Sequence, residues 1–364
     1  MKKEEICLMK GNEAVAHAAV RSGCDGYFGY PITPQTEIME TLMELRPWES
    51  SGMVVLQAES EVASINMLYG GAACGKRVMT SSSSPGISLM CEGISYIAGA
   101  ELPCVIVNVQ RGGPGLGTIQ PSQSDYFQAV KGGGHGDYHM VVLAPNSVQE
   151  MYDFVFESFD IAFRYRIPVM MLADGVVGQM IEKVVMSLQR PRYTEQQVVE
   201  QCGSWAVTGM KGRGQNVVTS LSLDPVDQEQ TNLRLQAKYR QIEAAEVRYE
   251  EVMTEDADFV MVAFGISSRV CAEVVSMARA DGYKVGLLRP ITLWPFPYGR
   301  ISELAERVKG FMSVELNAGQ MIEDVRLAVC GRAAVEHCGR MGGIIATPGE
   351  IYSKMKEMLI DRIK

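Results

Sequence analysis

The chain has 364 residues, of which 47% are hydrophobic and 21% are charged, and its formal net charge is −9 at pH 7. This length predicts about two domains, each long enough to bury its own core. The negative charge and the lack of a basic cluster argue against a nucleic-acid surface. No apolar run approaches the ~20 residues that span a bilayer, and the first residues lack the apolar core of a signal peptide, so we expect a cytoplasmic protein without membrane contact.

The cysteines and histidines do not form a recognisable metal-binding pattern. The nine cysteines are scattered, and no pair has the C-x-x-C spacing of an iron–sulfur or zinc site. The four histidines have neither the spacing nor the carboxylate neighbours of such a site. We therefore expect reduced thiols and no metal ligands on this chain.

The first distinctive stretch is Tyr-Pro-Ile-Thr-Pro at residues 30–34. Its two X-Pro bonds restrict the backbone, and Thr33 is predicted to be the N-cap of a helix that begins at Pro34, because apolar residues recur at helical spacing afterwards. The free N–H groups of the first helical turn would be a suitable seat for a carboxylate. Taken alone, the stretch is more typical of a capped helix after a rigid turn than of a binding site.

Short apolar runs alternate with helical patterns up to about Val177. This alternation predicts right-handed βαβ units and a mostly parallel sheet covered by helices on both faces. The buried strands are predicted at 54–56, 77–80, 104–109, 140–143 and 168–173. The helices between them are predicted at 61–73, 86–99 and 147–164.

The composition changes at 189–250, which is polar and rich in turn residues, and residues 228–253 are predicted to form a charged surface helix. The α/β alternation then resumes, with strands predicted at 259–264, 284–288, 311–314 and 343–346 and a helix at 268–281. The chain is therefore predicted to consist of an α/β domain (1–188), a connecting segment (189–250) and a smaller α/β domain (251–364).

Six longer motifs occur in order along the chain. They are Tyr-Pro-Ile-Thr-Pro (30–34), Gln-Ala-Glu-Ser-Glu (57–61), Thr-Ser-Ser-Ser-Ser-Pro-Gly (80–86), Gln-Arg-Gly-Gly-Pro-Gly (110–115), Gly-Gly-Gly-His-Gly-Asp (132–137) and Leu-Arg-Pro-Ile-Thr-Leu-Trp-Pro-Phe-Pro (288–297). Together they resemble the alpha subunits of the 2-oxoacid:ferredoxin oxidoreductases. Within that family the chain is most similar to the subunit of the enzymes that act on 2-oxoisovalerate. The resemblance spans nearly the whole chain and is weakest at 184–250.

The resemblance implies a fold, a reaction and a set of partners. The fold would be a thiamine-enzyme pyrimidine-binding α/β domain followed by a transketolase C-terminal-like α/β domain. The reaction would be the oxidative decarboxylation of a branched-chain 2-oxoacid to an acyl-CoA and CO2, with reduction of ferredoxin. Thiamine diphosphate would be shared with a beta subunit, whereas Mg2+ and [4Fe-4S] clusters would lie on partner chains. A gamma subunit, a ferredoxin-like delta subunit, ferredoxin and coenzyme A complete the expected partners.

The resemblance also implies three catalytic residues. Glu61 corresponds to the glutamate that contacts the aminopyrimidine ring of thiamine and sets its tautomer, with Glu59 as the alternative. From the residues alone, a carboxylate in a first helical turn is explained by the helix dipole.

Arg111 corresponds to the arginine that holds the 2-oxoacid carboxylate, and Thr33 to the threonine beside it. An arginine after a parallel strand lies where α/β proteins usually bind ligands, and its guanidinium can bind a carboxylate bidentately. The resemblance implies that Glu61, Pro31 and Ile32 contact the cofactor.

Two other segments imitate binding motifs but depart from them. Residues 70–77 nearly spell a P-loop, yet Arg77 stands where a magnesium-binding hydroxyl is needed, and the segment runs from helix into strand. Asp174-Gly175 resembles the Gly-Asp-Gly that holds Mg2+ in thiamine enzymes, but Ala173 replaces the first glycine and the downstream asparagine is missing. We therefore expect the diphosphate and Mg2+ to be bound by a partner chain.

Two alternatives to this function remain open. The chain could serve the same reaction on 2-oxoglutarate or on an aryl 2-oxoacid, because the carboxylate and the oxo group are common to all of these substrates. It could also be a non-catalytic subunit that kept the fold for assembly. The second alternative predicts the decay of the site, whereas Thr33, Glu61 and Arg111 all match the family motifs.

Overall fold

Three β-sheets organise the chain in the computed structural model, which describes residues 5–361. The strands are β1 (Glu5–Lys10), β2 (Gly26–Gly29), β3 (Val54–Gln57), β4 (Val78–Ser82), β5 (Cys104–Gln110), β6 (Val141–Leu143), β7 (Pro168–Asp174), β8 (Ile181–Met186), β9 (Tyr249–Val252), β10 (Phe259–Ala263), β11 (Val285–Pro290), β12 (Thr292–Trp294), β13 (Gly310–Glu315) and β14 (Ala334–Gly339). The helices are α1 (Gly11–Arg21), α2 (Thr36–Leu45), α3 (Pro47–Ser50), α4 (Glu61–Ala73), α5 (Ser84–Gly99), α6 (Tyr126–Val130), α7 (Val148–Tyr165), α8 (Gly175–Gln179), α9 (Glu195–Cys202), α10 (Pro225–Ala245), α11 (Gly265–Ala280), α12 (Tyr298–Leu304), α13 (Met321–Val329) and α14 (Pro348–Met355), followed by a π-helical turn (Lys356–Ile360).

The largest sheet has seven strands in the order β12-β6-β7-β5-β4-β2-β3. Six of them are parallel, and β12 joins the edge antiparallel to β6. The central strands β5 and β7 are buried along their whole length. Their sequences are largely apolar because helices cover both faces of a parallel sheet, and Asn108, Gln110 and Asp174 are the buried polar exceptions. The α/β class predicted from the sequence is confirmed.

The second sheet has five strands in the order β14-β13-β10-β11-β9, with β9 as its antiparallel edge strand. A separate antiparallel pair consists of β1 and β8. One apolar core runs from the seven-stranded sheet to one face of the five-stranded sheet, and a second cluster fills the other face. None of the helices within residues 5–361 is long and apolar enough to cross a membrane.

Several sequence predictions were wrong in detail. The strand at 54–56 is an exposed edge strand rather than a buried one, because β3 has a neighbour on only one side. The helix predicted at 228–253 ends at Ala245, and the chain then forms β9, which pairs with β11. Residues 343–346 form a loop, and the last strand of the second sheet is β14. The position of each strand in its sheet, which depends on contacts between separate segments, decided these outcomes.

The N-cap prediction for Thr33 was also wrong. Helix α2 begins at Thr36, and its N-cap residue, Gln35, makes no side-chain capping bond. Thr33 lies in the turn before the helix and is exposed. Its side chain is therefore available for a role other than capping.

The two large sheets are joined by Asp174, which ends β7. Its Oδ1 accepts hydrogen bonds from the backbone N–H groups of Val176 and Val177, both at 3.1 Å. Its Oδ2 accepts from Ile266 N of α11 at 2.8 Å and from Gln123 Nε2 at 3.3 Å. Burial raises the pKa of the Asp174 carboxyl, and these hydrogen bonds oppose that increase. The carboxylate therefore caps α8 and holds the start of α11 at the same time.

Asp174→Asn should destabilise the chain by about 1–3 kcal/mol, because an amide nitrogen would face the Ile266 N–H or the Gln123 amide and leave a buried donor without a partner. Urea unfolding of the two proteins measures the difference. Asp224→Asn is the matched control, since Asp224 caps α10 from an exposed position and, within the described residues, its carboxylate accepts a single hydrogen bond, from Val226 N at 2.8 Å. Equal losses of stability in the two variants would contradict the joining role of Asp174.

Candidate active site

The implied site residues follow the carboxyl ends of four neighbouring parallel strands. In the spatial order β3, β2, β4, β5, these strands are followed by Glu61, Thr33, Ser84 with Gly86, and Arg111. Carboxyl ends of parallel strands meet at one edge of a sheet, where α/β proteins bind ligands. The edge therefore gathers four loops that are far apart in sequence.

Glu61 is the first residue of α4, and only 6% of its surface is exposed. The preceding residue, Ser60, caps the helix by accepting a hydrogen bond from Ala63 N at 3.2 Å. Within residues 5–361 the Glu61 carboxylate has no hydrogen-bond or ion-pair partner. Glu59 lies before the cap and is exposed. A buried carboxylate without a partner is costly, and only Glu61 is placed to share a proton with a ligand in a buried site.

The first turn of α5 packs directly on the Glu61 side chain. A Cβ atom on Gly86 would lie 2.7 Å from Glu61 Oε1 and 2.1 Å from Ser82 Oγ. Both distances are shorter than a Cβ contact allows, so a side chain at this position would require the Glu61 carboxylate and the Ser82 hydroxyl to move. The Ser82 hydroxyl is completely buried and has no partner within the described residues. The Glu61 carboxylate and an unused hydroxyl therefore border the same space beside Gly86.

Arg111 and Thr33 are brought together by the fold. Arg111 Nη1 donates to the backbone oxygen of Thr33 at 3.1 Å, and Nη2 donates to that of Leu116 at 3.1 Å. The Nε atom of Arg111 is buried and has no partner within residues 5–361. No carboxylate in this part of the chain forms an ion pair with Arg111. The guanidinium is therefore held in place by neutral groups, and its charge is left for an anion.

Ser84 connects the arginine to the glutamate. Its hydroxyl accepts from Arg111 N at 3.1 Å and donates to Arg111 O at 3.2 Å. Ser84 and Gly86 are two residues apart in the same turn of α5, so this turn lies between Arg111 and Glu61. The sequence alone assigns no individual role to Ser84 or Gly86. The N-cap residue of α5, Ser83, makes no side-chain capping bond, so capping does not explain the serine run.

A buried hydrogen-bond chain fixes the loop that carries Thr33. The Tyr27 hydroxyl lies 2.7 Å from Ser81 Oγ, which donates to Gln35 Oε1 at 2.6 Å. Gln35 Nε2 in turn donates to the backbone oxygen of Tyr30 at 3.1 Å. Burial raises the pKa of Tyr27 to about 12, so the phenol remains a donor at neutral pH. The loop at residues 30–35 is therefore tied to the sheet at both ends.

The far side of the same loop is held by two amides. Asn12 Nδ2 donates to the backbone oxygen of Pro34 at 2.7 Å, and Gln179 Nε2 donates to it at 3.0 Å. Both amides also bond to the Glu37 carboxylate, at 3.0 Å and 2.8 Å. Pro31 and Ile32 are half-buried between these anchors and can form an apolar wall. None of these supporting residues could be found from the sequence, since each acts through contacts with residues distant along the chain.

The residues fit one half of a thiamine site. The unpartnered Glu61 carboxylate and the apolar Pro31 and Ile32 suit an aminopyrimidine ring. Asp174, by contrast, uses both carboxylate oxygens for hydrogen bonds within the fold. Within residues 5–361, no group of three or more His, Cys, Asp or Glu side chains could hold a metal ion. Within the part of the chain that the structure describes, the Asp174 carboxylate is therefore already used by the fold and does not fit the role of a ligand for a metal-bound diphosphate.

Sequence comparisons match the chain along nearly its whole length. The model of the pyruvate flavodoxin/ferredoxin oxidoreductase family, thiamine diphosphate-binding, matches residues 17–254, and that of pyruvate:ferredoxin oxidoreductase core domain II matches 257–351. Ketoisovalerate oxidoreductase subunit VorB of Methanothermobacter marburgensis is 54% identical, over 96% of this chain and 97% of that protein. 2-Oxoglutarate synthase subunit KorA of Methanothermobacter thermautotrophicus is 38% identical, over 97% of this chain and 99% of that protein.

A solved structure shares the architecture. It is a 2-oxoglutarate:ferredoxin oxidoreductase from Magnetococcus marinus with 2-oxoglutarate, coenzyme A and succinyl-CoA bound. The TM-score is 0.86 at 26% identity, and the alignment covers 100% of this chain and 66% of that one. The chain thus spans about two thirds of that longer protein.

Gly86→Ala should destabilise the chain by about 1–3 kcal/mol, because the added methyl group would clash with Glu61 and Ser82 in a packed region. Gly70→Ala is the matched control, since Gly70 is also helical but a Cβ there would have nothing within 4 Å. The control should gain up to about 1 kcal/mol from helix propensity. Thermal unfolding of both variants checks the prediction, and a stable Gly86→Ala protein would show that Glu61 is not confined by α5.

Proposed function

Because the chain belongs to the pyruvate flavodoxin/ferredoxin oxidoreductase family, we propose that it supplies the aminopyrimidine- and substrate-binding half of an enzyme that oxidatively decarboxylates a branched-chain 2-oxoacid. The products are an acyl-CoA and CO2, and the electrons pass to ferredoxin. The branched-chain substrate rests on the higher similarity to a subunit named for ketoisovalerate than to one named for 2-oxoglutarate.

One observation carries this proposal. A buried carboxylate without a partner, Glu61, and a guanidinium without a counter-charge, Arg111, lie on either side of the first turn of α5. Charges that are largely removed from water are normally paired, so an unpaired Glu61 side chain that is only 6% exposed, close to a half-buried Arg111 without a counter-charge, supports a ligand site at this edge of the sheet. A purely structural subunit has no reason to retain both.

Glu61 is the residue that would hold the aminopyrimidine ring of thiamine. When bound, thiamine diphosphate supplies the electron sink for decarboxylation. Glu61 would share a proton with the ring nitrogen at its carboxylate, and the contact with Gly86 would fix the orientation of that carboxylate. Pro31 and Ile32 would exclude water from the adjacent wall.

Arg111 and Thr33 would orient the substrate. The fixed guanidinium can bind a 2-oxoacid carboxylate bidentately, which a lysine does less well. Its two carbonyl contacts hold it in position before substrate arrives, which reduces the entropy lost on binding. Thr33 is exposed and its backbone oxygen contacts the guanidinium, so its hydroxyl would donate a hydrogen bond to a substrate bound there.

Partner chains would complete the enzyme. Helices α4 and α5, whose first turns meet at Glu61 and Gly86, carry exposed apolar side chains along their length, namely Val62, Met67, Leu89 and Tyr96, which are 37–56% exposed. A surface of this kind suits a protein interface. We propose that a beta subunit carrying the diphosphate and Mg2+ covers it, that [4Fe-4S] clusters lie on other subunits, and that gamma and delta chains complete the complex.

We keep the division 1–188, 189–250 and 251–364 as a proposal for the domains of this chain.

Glu61→Gln in the assembled complex should slow exchange of the thiamine C2 proton by ~10²-fold or more, the scale of one acid–base contribution. Glu59→Gln is the control, because Glu59 is exposed and outside the helix. NMR-detected exchange in deuterated buffer measures both rates. Equal exchange in wild type and the Glu61 variant would reject the assignment of Glu61.

The assembled complex should have its highest kcat/KM on branched-chain 2-oxoacids and its lowest on 2-oxoglutarate, with straight-chain 2-oxoacids larger than pyruvate in between. Burying the distal carboxylate of 2-oxoglutarate without a second cation would be costly, whereas one methylene in an apolar pocket changes binding by only about 1–3 kcal/mol. Steady-state kinetics with ferredoxin as acceptor tests the ranking. If 2-oxoglutarate were the best substrate, the alternative suggested by the KorA relative would replace the branched-chain proposal.

A further inference from the structure

The hydroxyl of Ser82, the last residue of β4, is completely buried and has no hydrogen-bond partner within the part of the chain that the structure describes. Such a hydroxyl is unfavourable unless a neighbouring group completes it. The hydroxyls of Thr80, Ser83 and Ser158 are in the same state, so burial by itself does not distinguish Ser82. The group beside Ser82 does, because it is the carboxylate of Glu61.

The absence of a side chain at Gly86 brings the hydroxyl and the carboxylate to the same small space. The three heavy atoms nearest to a Cβ atom built on Gly86 are Ser82 Oγ at 2.1 Å, Glu61 Oε1 at 2.7 Å and Glu61 Cγ at 3.0 Å. All three belong to these two side chains. A hydroxyl can donate and a carboxylate can accept, so a buried donor and a largely buried acceptor adjoin each other there.

The neighbouring strand offers a second acceptor. Asn108 lies opposite Ser82 in the register of β4 and β5, and its Oδ1 is buried without a partner among the described residues. Its Nδ2 donates to Asp125 Oδ2 at 2.9 Å. The Ser82 hydroxyl has a single proton to donate, and hydrogen bonds to a charged group are roughly twice as strong as neutral ones. The Glu61 carboxylate is therefore the favoured partner.

We propose that Ser82 is a positioning residue, whose hydroxyl donates a hydrogen bond to Glu61 Oε1 across the space beside Gly86. A change in the χ1 rotamer of Ser82 or in the terminal torsion of Glu61 forms this bond without movement of the backbone. The bond restricts rotation of the carboxylate and leaves Oε2 directed at the ring nitrogen of thiamine. The proposal rests on the proposed function, since it names the group that orients Glu61 for that role.

The test removes the hydroxyl in the assembled complex. Ser82→Ala should slow exchange of the thiamine C2 proton by ~10-fold or more, the scale of one hydrogen bond to a charged group. It should also weaken the near-ultraviolet circular dichroism of the bound cofactor, which reports the tautomer of the aminopyrimidine ring. The KM for the 2-oxoacid should be unchanged, because the substrate carboxylate is assigned to Arg111. Ser158→Ala is the matched control, since its hydroxyl is equally buried and unpartnered but lies on α7, and it should change none of these measurements.

Further variants separate positioning from packing. Ser82→Thr keeps the hydroxyl and should restore exchange to near the wild-type rate. If its added methyl group prevents folding, Ser82→Cys, which keeps a weaker donor, should give a rate between those of wild type and Ser82→Ala. Adding Ser82→Ala to a Glu61→Ala chain should have no further effect on exchange, because the acceptor is already missing.

Three other results overturn the proposal. Wild-type exchange in Ser82→Ala would show that the hydroxyl does not orient Glu61. A slow rate that neither Ser82→Thr nor Ser82→Cys raises would assign Ser82 to packing alone. Additive effects of Ser82→Ala and Glu61→Ala would assign the hydroxyl to the cofactor itself or to Asn108. Failure of the proposed function is distinct, because the wild-type complex would then bind no thiamine diphosphate and release no CO2 from any 2-oxoacid.

Discussion

The side-chain amide of Gln123 is the interaction on which the arrangement of the two large sheets depends. It is completely buried, and its Nε2 donates to Phe264 O at 2.9 Å and to Asp174 Oδ2 at 3.3 Å. Its Oε1 accepts from Ser267 Oγ at 2.9 Å and from Leu316 N at 3.1 Å. One amide thus uses both donors and two acceptor positions to bind three separate segments, and losing it would leave several buried groups unsatisfied.

The hydrogen bonds of Gln123 also determine the shape of the candidate site. The chain that leaves β5 passes through Arg111, forms the glycine-rich loop and returns to the sheet, where Arg111 pairs with Pro121 and Gly112 N donates to Gln120 O at 2.9 Å. Because the return point lies two residues before Gln123, the amide that fixes the sheets also closes the loop around Arg111. A cavity between the two sheet layers is a consequence of the same geometry. The first turn of α5 contributes one wall, and the loop after β13 contributes the other.

The buried acidic side chains of this protein differ in whether the fold supplies them with hydrogen-bond partners. Asp174 and Glu315 are each about 1% exposed, and both accept several hydrogen bonds from helix N-termini and neighbouring side chains. Glu61 is buried at a helix start as well, yet it has no partner within the described residues. The fold pairs Asp174 and Glu315 so fully that the unpaired Glu61, at 6% exposure, is the exception, and a largely buried carboxylate without a partner is typical of a ligand site.

The sequence by itself determined the elements and residues whose signal is local. The helix predicted at 61–73 is α4, and the strands predicted at 104–109 and 168–173 are β5 and β7. Burial on both faces leaves a largely apolar pattern in the two strands. The long motifs likewise indicated the family. Only the tertiary structure decided that β12 joins the first sheet, that α2 begins after Gln35, and that Ser84 and Gly86 connect Arg111 with Glu61. These features depend on pairing and close approach between segments far apart in the chain, and local propensity carries no information about such contacts.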